Sequence, residues 1–138
     1  MLNSGSDHDW RVECNDDVAK VKFINSFASV QPTSLASWFW GFTELEEIEG
    51  IEYLNTSAVT TMNAAFAYCT HLEEININKF DTGKLTNTTT MFSGCSRLKT
   101  IYCSNTWDVE TSGSMFFMCP ALVGAVSYDS DRQHTGRR

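Results

Sequence analysis

Met62-Asn-Ala-Ala-Phe66-Ala-Tyr-Cys69-Thr-His-Leu72-Glu-Glu-Ile75-Asn-Ile77 is the stretch on which the fold turns. Its first half places Met62, Ala65, Phe66 and Cys69 at i, i+3, i+4 and i+7, the spacing of one apolar face on a short amphipathic helix. Its second half alternates, with Ile75 and Ile77 separated by Asn76 and followed by Asn78. That period of two marks a strand with one buried face.

The stretch recurs. Phe39, Phe66, Phe92 and Phe116 are separated by 27, 26 and 24 residues, and Leu45, Leu72, Leu98 and Leu122 by the same three intervals. Ile48, Ile75 and Ile101 share the first two, as do Phe42, Cys69 and Cys95, with Cys119 closing the series. Subtracting 27 from Leu45, Ile48, Leu54, Val59, Met62 and Phe66 lands on Val18, Val21, Phe27, Pro32, Leu35 and Phe39. All are apolar or Pro, so residues 18–36 form a degenerate first unit, and a partial last one runs from Met115 to about Val126. Polar loops such as Asn55-Thr56-Ser57 and Asp81-Thr82-Gly83 should join each strand to the next helix.

A single unit buries too few side chains to offset the entropy of ordering its backbone, so units must stack. The expected fold is α/β: a right-handed leucine-rich-repeat-type solenoid. It would hold about four repeats of 24–27 residues, each with a short strand and a short helix, the strands forming one parallel sheet. Residues 1–17 would be a polar linker or cap, 18–126 the solenoid and 127–138 a polar tail.

Composition narrows the function. The 138 residues amount to one domain, 42% hydrophobic and 20% charged. Ten basic residues against seventeen acidic give a net charge of −7, and no Lys/Arg stripe offers itself to phosphates, which argues against a nucleic-acid partner. Eight acids and a single base, Lys79, fall within Glu44–Asp81, a pattern expected of a solvated face. The longest apolar run, Leu35–Phe42, is broken by Ser37 and Gly41 and falls far short of the roughly 20 residues of a membrane helix, so no membrane insertion is expected. The opening MLNSGSDHDW has neither the basic nor the apolar segment of a signal peptide.

At the level of motif, Phe-x-x-Cys-x-x-Leu-x-x-Ile-x-Ile at Phe66–Ile77, followed by Phe80-Asp81-Thr82, resembles the bacterial surface protein, or BspA-like, leucine-rich repeat of gut bacteria and mycoplasma lipoproteins. Met91-Phe92-Ser93-Gly94-Cys95-Ser96-Arg97-Leu98 is similar to that repeat's Met-Phe-x-Gly-Cys-x-x-Leu segment, and Leu54–Thr60 to its strand-exit loop. The resemblance spans residues 18–126. Phe42 stands where the repeat has Cys, Thr88 replaces its Met, and residues 106–114 fit poorly. The resemblance implies a protein displayed on or secreted from cells, in some cases adhering to host matrix proteins or other bacteria. No catalytic residue or cofactor is carried over with it.

Candidate sites are few. Cys69, Cys95 and Cys119 share one repeat position and should stack inward as small apolar groups, Cys103 lies on the inward strand phase, and Cys14 falls outside the units. No C-x-x-C or Cys/His pair has metal-ligand spacing, and no G-x-S-x-G, P-loop or H-E-x-x-H motif is present. His8, His71 and His134 are scattered, and Asp7-x-Asp9 and Asp129-x-Asp131 sit in the polar ends. What remains is the outward strand face. Glu49, Asn76 and Tyr102 should form one ladder, with Glu52, Asn78 and Ser104 beside it. The expected function is a non-enzymatic binding or adhesion module for an extracellular protein or glycan, with no metal and no cofactor. The alternative is a structural spacer without a site of its own. Self-association through Trp38, Trp40 and Trp107 is a further expectation.

Overall fold

The computed structural model describes residues 18–103, 107, 109 and 111–122. The expected linker at 1–17, the end of the last unit, the tail at 127–138, Cys14, His8, His134, both Asp-x-Asp pairs and Ser104 of the strand-face ladder lie outside the described residues.

Among the described residues, four three-residue strands alternate with chains of tight turns. They are β1 (Lys20–Lys22), β2 (Glu47–Glu49), β3 (Glu74–Asn76) and β4 (Thr100–Tyr102). Each centres on the Val or Ile that the repeat places inward, and the residues either side face solvent in β1, β2 and β3. β1 pairs with β2 in parallel, Val21 opposite Ile48, and β3 pairs with β4 in parallel, Ile75 opposite Ile101. On the opposite side of the units Ser34, Thr61, Asn87 and Thr111 form a continuous series of parallel bridges.

Two features correct the expected architecture. Among the described residues no α-helix forms; only two short 3-10 turns occur, Asn25–Ser29 and Ile51–Tyr53. The strands also make two separate two-stranded sheets rather than one parallel sheet. The leucine-rich-repeat solenoid with a strand and a helix in every unit is therefore not what this chain builds.

The backbone shows why the helical stripe did not become a helix. Over Met62–Cys69 the amides of Ala65, Ala67 and Cys69 bond carbonyls three residues back, those of Met62, Ala64 and Phe66. The alternate amides leave the unit: Ala64, Phe66 and Tyr68 donate to the carbonyls of Thr89, Met91 and Ser93 in the next one, at 2.9, 2.9 and 2.8 Å. The same division holds one unit earlier, where Ser37, Phe39 and Gly41 donate to Asn63, Ala65 and Ala67. An α-helix over this stretch would instead have bonded the Phe66 and Tyr68 amides to the Met62 and Ala64 carbonyls. The first and last of these turns carry a left-handed residue at the third position, as in a type II turn. Ser37, Ala64, Thr90 and Ser114 supply it once per unit and Gly41, Tyr68, Gly94 and Met118 a second time, all with φ between 53° and 78°.

Side-chain direction follows the sequence even where backbone form does not. Met62, Ala65, Phe66 and Cys69 are all buried. Phe39, Phe66, Phe92 and Phe116 stack in one column, ring centroids 5.4, 5.4 and 6.0 Å apart and planes within 9° of parallel. Phe23 closes the column edge-on at 6.3 Å from Phe39. Each such aromatic pair adds about 0.5–1.5 kcal/mol beyond the area it buries. The cysteines do more than fill space. The Cys69, Cys95 and Cys119 thiols donate to the Phe39, Phe66 and Phe92 carbonyls of the preceding unit at 3.2, 3.0 and 3.0 Å. The loop Asn55-Thr56-Ser57 is an Asx turn, with the Asn55 carboxamide accepting the Ser57 N–H at 3.1 Å, and precedes no helix.

Candidate functional site

The interruption of the sheet makes the site. At the entry to β2 the Glu46 amide bonds the Ala19 carbonyl at 2.8 Å, and at the entry to β4 the Lys99 amide bonds the Glu73 carbonyl at 2.8 Å. The bond that would continue this series, from the Glu73 amide to the Glu46 carbonyl, is not formed, and β2 and β3 do not pair. Side chains join the two units there instead. The Thr70 hydroxyl, at 3.3 Å, and the His71 Nδ1–H both donate to the Thr43 carbonyl.

Between β2 and β3 a groove of 660 Å3 opens on the outward face. Ile48, Ile51, Leu72 and Ile75, buried or half-buried, make its floor, and the exposed Glu46, Glu47, Glu74, Asn76, Tyr102 and Lys20 its rim. Its volume falls within the roughly 300–1,000 Å3 of small-ligand pockets. A smaller depression of 320 Å3 adjoins it, sharing Ile51 and Asn76 and adding Glu52, Asn78 and Lys79.

Four of the six residues expected on the strand face line this pair of hollows. Asn76 lies in both; Tyr102 lines the first, and Glu52 and Asn78 line the second. Asn76 and Tyr102 are opposite one another in the β3–β4 register, as a shared ladder requires. Glu49 is drawn aside into an ion pair with Lys20 at 3.0 Å. The hydrogen bond and charge of Lys20 hold its carboxyl below the usual range. Tyr102, 47% exposed, donates its hydroxyl to Glu74, which pushes the phenol above its usual range. Sequence reasoning missed Glu47, Glu74 and Ile48, because the acid-rich run gave no sign that two neighbouring strands would stand apart.

Burial pushes the Cys69 thiol up to about 12 and the Cys119 thiol to about 11, and lifts Cys95 as well. Such thiols are poor nucleophiles at neutral pH. Among the described residues no three His, Cys, Asp or Glu side chains converge as metal ligands. Nor is any helix among them long and apolar enough to cross a membrane.

Stacked units joined by parallel backbone bonds, a phenylalanine column at their centre and an open groove on one face define a small repeat protein. The family model described as "Mycoplasma protein of unknown function, DUF285" matches residues 12–128, and the chain belongs to that family. No curated protein and no solved structure matches it.

Proposed function

We propose that the chain is a non-enzymatic binding module of a bacterial surface-displayed or secreted protein, and that it takes a protein or glycan partner on its outward strand face. The observation that carries this reading is the groove between β2 and β3, where an apolar floor lies under a rim of carboxylates, a carboxamide and a phenol. Exposed aromatic and amide groups around an apolar centre suit both protein and sugar contacts. The resemblance of the units to the BspA-like repeat supports surface display.

The test is binding of the purified chain to a panel of host matrix proteins and glycans, with Tyr102→Asp alongside. The expected result is saturable binding that the variant loses while its circular dichroism spectrum is unchanged. Binding retained in full by Tyr102→Asp would move the contact off this face. No binding to any member of the panel would leave the chain a spacer between other parts of a larger protein.

A further inference from the structure

Resting on that reading, we infer that the groove is a slot for an extended peptide strand with alternating basic and apolar residues, inserted between β2 and β3.

Backbone geometry leads to the slot. The Glu47 amide bonds the Ala19 carbonyl and the Glu49 carbonyl accepts the Phe23 amide, so Glu47 and Glu49 turn their main-chain groups toward β1. In a strand the intervening residue turns its own the other way, and the N–H and C=O of Ile48 face the groove. On the far wall the Glu73 carbonyl and the Ile77 amide bond β4, which directs the main-chain groups of Glu74 and Asn76 into the same space. Two parallel strand edges thus confront each other without joining. Exposed strand edges are templates for added strands, and here both neighbours of the incoming strand are already in place.

The protein itself shows which strand such an edge accepts. β1 is Lys20-Val21-Lys22, and it lies on Glu47-Ile48-Glu49 in register, Val21 opposite Ile48, with the Lys20 ammonium 3.8 Å from Glu47 and 3.0 Å from Glu49. The wall across the groove repeats the pattern as Glu74-Ile75-Asn76. Glu46 and Glu74 have no ion pair among the described residues, and both stand on the rim. A Lys-Val-Lys segment set between the walls would lay its valine over Ile48 and Ile75 and its lysines between the carboxylates. It would be the second such pairing in the molecule.

The probe is a capped Lys-Val-Lys-Val-Lys peptide titrated into the isotope-labelled chain, followed by amide hydrogen exchange and chemical shift. Expected are fast exchange at Ile48, Glu74 and Asn76 in the free protein and slowed exchange at all three with peptide. Expected too are affinity about tenfold weaker in Glu74→Lys, as for a lost charge contact, and no binding by Glu-Val-Glu-Val-Glu or by the peptide N-methylated at alternate residues. Slow exchange at these amides before peptide is added would mean that the strands are already paired, and would overturn the slot. Equal binding by the N-methylated peptide would reduce the contact to charge alone and overturn it as well. A silent peptide beside a positive matrix or glycan panel refutes the slot only, whereas silence in both refutes the binding module too.

Discussion

Gly50 is the residue whose replacement most sharply tests this architecture. It follows β2 with φ +76, and a methyl group built there would lie 2.1 Å from the Phe23 carbonyl oxygen and 3.1 Å from its carbon. Alanine in the left-handed region costs about 1–2 kcal/mol. The contact would have to open by roughly 1 Å to reach ordinary van der Waals separation, and its other side is main chain rather than a side chain able to swing away. That displacement breaks the 2.8 Å bond from the Phe23 amide to the Glu49 carbonyl. Phe23 is buried, and its stranded amide costs about 1–3 kcal/mol more. Gly50→Ala should therefore destabilise by roughly 2–5 kcal/mol, which for a chain of this length lowers Tm by about 10 °C. Gly83→Ala is the control, since a methyl there meets only the Asp81 carboxylate, at 3.1 Å. Thermal unfolding followed by circular dichroism compares the two, and hydrogen exchange at Val21 and Phe23 reports on β1 directly. Equal Tm for the two variants would refute the close approach of β1 to Gly50, and with it the geometry of one groove wall.

Three further outcomes are expected. Ala64→Gly should be neutral or raise Tm in a melt, because Ala64 has φ 57; a helix at this position would instead lose about 1 kcal/mol from the same change. Thr88→Val should stabilise by about 1–2 kcal/mol in urea titration, since the Thr88 hydroxyl is buried without a hydrogen-bond partner among the described residues; a loss of stability would mean that the hydroxyl is satisfied. The raised thiols of Cys69 and Cys119 make folding favour the protonated form, so their contribution is complete below the ordinary thiol value of 9.0 and is lost as pH rises toward about 11 and about 12. Urea midpoints should accordingly fall across that window, and fall less steeply in a Cys69→Ala, Cys119→Ala variant.

Much of this protein was legible as spacing. The shared intervals of Phe39, Phe66, Phe92 and Phe116 announced a column of equivalent side chains, and the stacked rings occupy it. Ile48, Ile75 and Ile101 marked the inward strand positions, and the residues beside them, Asn76 and Tyr102 among these, face outward. The wrong element came from the stripe Met62, Ala65, Phe66, Cys69. Two successive tight turns direct those side chains to one side just as a helix does, so burial periodicity cannot separate the two. Left-handed residues as different as Ser37, Ala64, Tyr68 and Met118 gave no warning, because within these turns Gly41 and Gly94 alone are of the residue type that advertises that conformation.

What the sequence by itself determined is therefore the repeat, its register and which side chains point inward, since these follow from the order of apolar residues along one chain. Tertiary structure decided where the alternate amides go and which strands pair. Ala64, Phe66 and Tyr68 can bond Thr89, Met91 and Ser93 only once the next unit lies beside them. Whether β2 meets β3 depends on how two units seat against each other at Thr43, Thr70 and His71. The groove belongs to that second kind of fact: its walls are written in the sequence, and its opening is set by the distance between them.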